Sequence, residues 1–131
     1  MSSNQENGFV YVLSNPAMPG LVKIGSSHSP EERVKQLYDT GVPLPFKIDG
    51  SIKCRDRHHA YEVERKVHTL LNEHRLTPAR EFFQLPVSIA VWMVYKTAME
   101  EYLAQAEQER DALAAAQAQL LQTIFAPQTN N

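Results

Sequence analysis

Two short runs of β-branched, aromatic and leucine residues lie near the start of the chain, Phe9-Val10-Tyr11-Val12-Leu13 and Leu21-Val22-Lys23-Ile24. The segment between them contains two prolines, an asparagine and a glycine. Residues of the first kind favour strands and those of the second kind interrupt them, so the pattern predicts an antiparallel hairpin with a long connection. Side chains alternate across a strand, which sets Tyr11 out of phase with Val10 and Val12, and Lys23 out of phase with Val22 and Ile24. A tyrosine hydroxyl and a lysine amine are therefore expected on one face of a small sheet. Gly25 lets the chain leave the second strand with no side chain in the way.

Beyond the hairpin the period changes. Ser29 before Pro30-Glu31-Glu32 reads as an N-cap, a proline at the first helical position and two acids where the helix dipole favours them. This helix is expected to run to about Asp39 with Val34, Leu37 and Tyr38 on its buried face and Arg33 at the edge of that face. Leu44 to Lys53 predicts a third strand, with Phe46, Ile48 and Ile52 on its apolar side and Gly50 as a bulge. Asp56 then caps a helix reaching to about His74, whose stripe is Ala60, Val63, Val67, Leu70 and Leu71, with Glu64 and His68 flanking it as neighbours four apart. Glu81 to Leu85 reads as a short extended or turn segment whose aromatics close the core. Pro86 opens a long helix ending near Ile124, before Pro127, and from Met99 onward its apolar residues follow a weak 4-3 spacing.

The fold class expected is α+β, a small three-stranded antiparallel sheet flanked by helices, with a long C-terminal helix. Residues 1–7 and 126–131 are expected as disordered tails, 8–95 as the functional domain, and 96–125 as a helical extension through which two copies could pair as a homodimer.

Composition narrows the function. Of 131 residues 43% are hydrophobic, enough for one compact domain and an appendage. A single cysteine, Cys54, excludes an intramolecular disulfide and a cysteine-rich zinc site and fits a reducing compartment. No apolar run is long enough to span a membrane, and the first residues lack the basic-then-apolar order of a secretory signal. The formal charge of −2 argues against strong non-specific attraction to polyanions, yet it is uneven. Residues 1–85 are near neutral and hold all five histidines, whereas 86–131 are acidic, so any polyanion site belongs to the first part.

Read singly, the polar residues are ordinary. A strand tyrosine packs, Arg33 pairs with Glu31 or Asp39, and Glu64 with His68 forms a solvated helix pair or half of a metal site. Arg55, Arg57 and His58 mark a loop edge that could touch phosphate. In order, however, Tyr11 within Val-Tyr-Val, Lys23-Ile24-Gly25, Arg33, Glu64-x-x-x-His68 and Arg80-Glu81-Phe82-Phe83 resemble the GIY-YIG nuclease superfamily. The closer resemblance is to its small phage and bacterial branch of T-five open-reading-frame type, over roughly residues 8–86. The resemblance implies a metal-dependent DNA endonuclease using Mg²⁺ or Mn²⁺, at work in the cytoplasm of a bacterial or phage-infected cell. It makes Tyr11 the residue assisting the attacking water, Arg33 the phosphate stabiliser and Glu64 the metal ligand. Lys23 stands where the second-motif tyrosine would be. His68 joins these catalytic candidates, and Gly25, Ser26, Arg55, Arg57 and His58 are the substrate-binding ones. The rival expectation is an inactive nucleic-acid-binding or protein-interaction module that keeps the fold.

Overall fold

The computed structural model describes residues 7–77 and 81–126. Its elements in chain order are β1 (Gly8–Ser14), β2 (Leu21–Ser27), α1 (Pro30–Leu37), β3 (Lys47–Cys54), α2 (Arg57–Leu70), β4 (Phe82–Gln84) and α3 (Val87–Phe125), with a short 3₁₀ turn at Asn72–His74 after α2. The strands form one antiparallel sheet in the order β3-β1-β2-β4. The fold is α+β as expected, with one more strand. Phe82 and Phe83 pair with Lys23 and Val22, so the segment read as extended or turn is the sheet's edge. The chain divides into two compact units, Met1–Met99 and Glu100–Asn131.

The hairpin connection is held by Asn15. Its side chain accepts from Ala17 N and donates to Leu44 O at 2.7 Å. Gly20 then takes a positive φ of 81°, which a side chain would resist. Both anticipated caps form, with Ser29 Oγ accepting from Glu32 N and Asp56 Oδ1 from His59 N.

The sheet separates two apolar clusters. On one face Val10, Val12, Val22, Ile24 and Phe83 pack with Ala60, Val63 and Val67 of α2 and with Ala90, Val94 and Ala98 of α3. Burying each of the valine, isoleucine and phenylalanine side chains contributes roughly 1.5–3 kcal/mol. On the other face Tyr11, Leu13 and Phe46 pack with Val34 and Leu37 of α1. Tyr38, expected on the buried face of that helix, is 52% exposed because the helix ends one residue earlier, at Leu37.

The third strand differs in one respect. Val12 pairs with Gly50 but Leu13 with Ile48, so Asp49 is an extra residue and the strand bulges beside Gly50. The bulge reverses the alternation. Phe46 and Ile48 consequently join the Tyr11 cluster while Ile52 joins the Val10 cluster, so the three do not share a side. Gly50 lies under α3, where an added Cβ would meet the Val91 methyls at 3.2 Å. No helix among the described residues is long and apolar enough to cross a membrane.

Candidate active site

The site begins with a missing side chain. Tyr11 of β1 pairs directly with Gly25 of β2, and a Cβ at Gly25 would stand 2.5 Å from the Tyr11 hydroxyl. Only glycine leaves the buried phenol room to lie across β2. Because α1 starts a few residues after β2, its first turn returns Arg33 to the cleft that Tyr11 lines, where the guanidinium charge acts on the Tyr11 hydroxyl.

Ser26, one residue beyond Gly25, projects to the opposite face and meets α2. Its Oγ donates to Glu64 Oε1 at 2.6 Å. Glu64 does not flank the apolar stripe of α2 but lies within it, at the 60-63-64-67 spacing of a buried face, and is 7% exposed. His68, one turn on, is also mostly covered. Its Nε2 faces Ile24 O at 2.8 Å and Glu64 Oε2 at 3.8 Å. A carbonyl oxygen can only accept, so this nitrogen carries the proton. The Glu64–His68 pair is thus a buried support of the strand–helix contact, not a solvated helix pair.

A fifth element completes the arrangement. Glu81, immediately before β4, accepts from Lys23 Nζ at 2.9 Å, and that ammonium is itself only 8% exposed. Tyr11, Ser26, Arg33, Arg57, Glu64 and Glu81 together line one cleft of ≈ 310 Å³. Within its lining, Ser27 Oγ is buried and has no hydrogen-bond partner among the described residues.

The electrostatics follow from burial. Loss of solvent holds the Tyr11 phenol above its ordinary pKa of 10.0, partly opposed by Arg33. Loss of solvent also raises Glu64 above the usual carboxyl range. The Ser26 hydrogen bond opposes this, Glu81 adds to it, and His68 and Lys23 oppose it. A buried carboxylate with a second carboxylate near it carries negative charge that its neighbours only partly offset. Hard oxygen donors of this kind suit Mg²⁺ or Mn²⁺, which keep several waters and need few protein ligands. Among the described residues no group of three or more His, Cys, Asp or Glu could hold a metal, so a cation here would rest chiefly on Glu64.

Of the catalytic candidates read from the sequence, Tyr11, Arg33 and Glu64 share the cleft. Lys23 borders it through Glu81, and the cation whose charge acts on Tyr11 is Arg33, not Lys23. His68 sits behind Glu64. Among the binding candidates, Gly25 makes space for Tyr11, Ser26 holds Glu64, and Arg57 lines the cleft. His58 lies in an adjoining cleft that shares Ser26, Ser27 and Arg57. Arg55 turns to Asp56 at 3.9 Å and lines neither. Arg33 donates to Gln36 Oε1, not to Glu31 or Asp39. Glu81 enters the sequence reading only within the Arg80-Glu81-Phe82-Phe83 motif and with no site role, because the adjoining aromatics point to packing and nothing local marks its carboxylate. Arg80, part of the same motif, falls outside the described residues.

No curated protein matches the chain in sequence, and no solved structure matches it. The T5orf172 domain matches residues 8–100, which takes in every residue of the cleft. The chain belongs to the T5orf172 domain family, a phage and bacterial domain associated with nuclease-like proteins.

Proposed function

We propose that the protein is a divalent-metal-dependent DNA endonuclease that hydrolyses phosphodiester bonds by a GIY-YIG-type mechanism. The observation carrying this reading is the convergence of Tyr11, Arg33 and Glu64, from β1, α1 and α2, on one cleft. Hydrolysis adds a water oxygen to an already anionic phosphorus and breaks the bond to the leaving alcohol, so charge accumulates on the non-bridging oxygens. The Arg33 guanidinium offers planar, permanently charged donors for them. Tyr11, a phenol protonated at neutral pH and held still further from ionisation by its burial, has an oxygen that can accept from the attacking water and orient it. Glu64, and secondarily Glu81, are the residues that would hold Mg²⁺ or Mn²⁺. Such an ion supplies charge neutralisation at the phosphate and a more acidic bound water. Lys23 fixes Glu81, and His68 ties α2 to the Ile24 carbonyl so that Glu64 keeps its position.

One observation favours a binding module without catalysis. Lys23, at the place of the second-motif tyrosine, is neutralised by Glu81, and no group near Tyr11 brings its phenol into the neutral range. Plasmid nicking with Mg²⁺, Mn²⁺ or EDTA separates the two. The endonuclease reading expects cleavage only with metal and losses of at least ~10²-fold for Glu64→Ala and Arg33→Ala, the scale of a lost charge stabiliser. Undiminished cleavage by Glu64→Ala would falsify the metal assignment, and wild type inactive on every DNA and RNA form favours the binding module.

A further inference from the structure

The cleft does not end at Glu64. A second hollow of ≈ 320 Å³ adjoins it, sharing Ser26, Ser27 and Arg57, and is closed on its far side by His58 and Tyr61 of α2. Tyr61 takes no part in the core and leaves 49% of its surface exposed. The Arg65 guanidinium lies 5.8 Å from the centroid of its ring. Residues three and four apart are neighbours on a helix, so Arg57, Tyr61, Glu64 and Arg65 form one continuous strip of α2. Tyr61 therefore leaves the helix three residues before Glu64, ~4.5 Å along the axis, and its ring lines the hollow that adjoins the cleft of Arg33 and Glu64.

An exposed aromatic ring with a cation on it, next to a phosphate-sized cleft, is the combination that stacks a nucleobase. The charge of the chain points the same way. A protein that grips duplex DNA by its backbone neutralises many phosphates from a basic face. Here residues 1–85 are close to neutral and the whole chain is at −2, so affinity must come from a few local contacts. A paired base has its faces stacked on its neighbours and cannot reach such a platform, whereas an unpaired one can.

We propose that Tyr61 is the platform of a base-stacking subsite, and that the nucleic acid this cleft takes carries an unpaired nucleotide next to the scissile phosphate. This rests on the nuclease reading above and supplies its substrate class, single-stranded or locally unpaired DNA. His58 and Arg57, at the beginning of α2, line the same hollow as the platform.

Binding without cleavage tests this apart from the chemistry. Oligonucleotides with 2-aminopurine at one position are titrated with the full-length protein in EDTA, as a single strand and as a blunt duplex. Wild type should bind the single strand more tightly and quench the probe. Tyr61→Ala should lose about tenfold of single-strand affinity, the scale of one stacked base, together with the quench. Tyr61→Phe and Tyr61→Trp should keep both, and duplex affinity should change less than twofold in all three. Equal losses on both forms, or none in Tyr61→Ala, overturn the subsite. If plasmid nicking is metal-dependent while Tyr61→Ala binds like wild type, the nuclease reading stands and the subsite falls. Quenching that depends on Tyr61 in a protein that never cleaves leaves the subsite standing without the hydrolysis.

Discussion

Tyr11 and Gly25 face each other across β1 and β2, and the phenol occupies the space that any side chain on Gly25 would need. The conflict involves the ring as well as the hydroxyl, since Tyr11 Cζ would lie 2.7 Å from an added Cβ. Gly25→Ala should therefore destabilise the fold by about 1–3 kcal/mol, the usual range for overpacking. Its effect should shrink when Tyr11 is also replaced by alanine, because residues in contact are not additive. Denaturant melts of the four proteins of this cycle check it, and equal effects of Gly25→Ala in both backgrounds would contradict the packing.

Glu64 should weaken the fold at neutral pH. Its folded pKa is raised above the ordinary 4.5, so between those two values the folded chain holds a proton that the unfolded chain has released. Stability from this group is complete below the ordinary value and is lost as pH rises through the folded one. Glu64→Gln, neutral and of equal size, should accordingly melt higher than wild type at pH 7.5, with the difference shrinking below pH 4.5. Mg²⁺ should restore wild type and leave Glu64→Gln unmoved, by about 2.7 kcal/mol at one hundred times the dissociation constant. Melting curves across pH, with and without the ion, are the measurement.

Lys23 and Glu81 should behave as a pair whose loss is one-sided. Lys23 is nearly buried against the Phe82 ring, so Glu81→Ala leaves an ammonium without its carboxylate. A cost of about 1–3 kcal/mol is expected, and Lys23→Met in the same protein should recover most of it. Lys23→Glu, which sets like charges together beside Glu64, should lower both stability and rate. With Arg33 as the cation at Tyr11, Lys23→Met should keep the wild-type pH dependence of cleavage; a displaced alkaline limb would return Lys23 to the chemistry.

Leu103, Leu113, Leu120 and Ile124 of the C-terminal unit are each more than half exposed on a helix with few other apolar anchors. Helices in water owe most of their stability to packing an apolar face. We expect the full chain to sediment as a dimer at micromolar concentration and a chain ending at Glu100 as a monomer. Two monomers would show that these side chains do not join copies.

Much of this was legible because local chemistry and global fold agree. The hairpin, the caps at Ser29 and Asp56 and the order of helices follow from short-range rules. The sequence order of Tyr11, Arg33 and Glu64 carried the resemblance. What escaped depends on partners distant in the chain. The bulge at Asp49 inserts one residue into an alternation that looks regular, and only pairing with β1 reveals it. The edge strand at Phe82 is too short to show a period and is a strand because Lys23 and Val22 pair with it. Glu64 reads as solvated beside its stripe because nothing local announces that Ser26, 38 residues earlier, meets it on the face of the sheet that α2 covers. The place of Glu81 in the cleft is hidden for the same reason, since its partner Lys23 lies 58 residues away.

Those separations have a consequence for the order in which the molecule assembles. The hydrogen bond that seats Glu64 closes a span of 38 residues and the one that seats Glu81 closes 58. Each doubling of a span adds only ~0.6 kcal/mol of closure entropy, but contacts so remote form late and slowly. A nascent chain released as far as α2 has the hairpin and the first helix but not the second carboxylate. The cleft is thus finished only when the sheet gains its last edge, and a partly folded copy lacks the complete set of groups that line it.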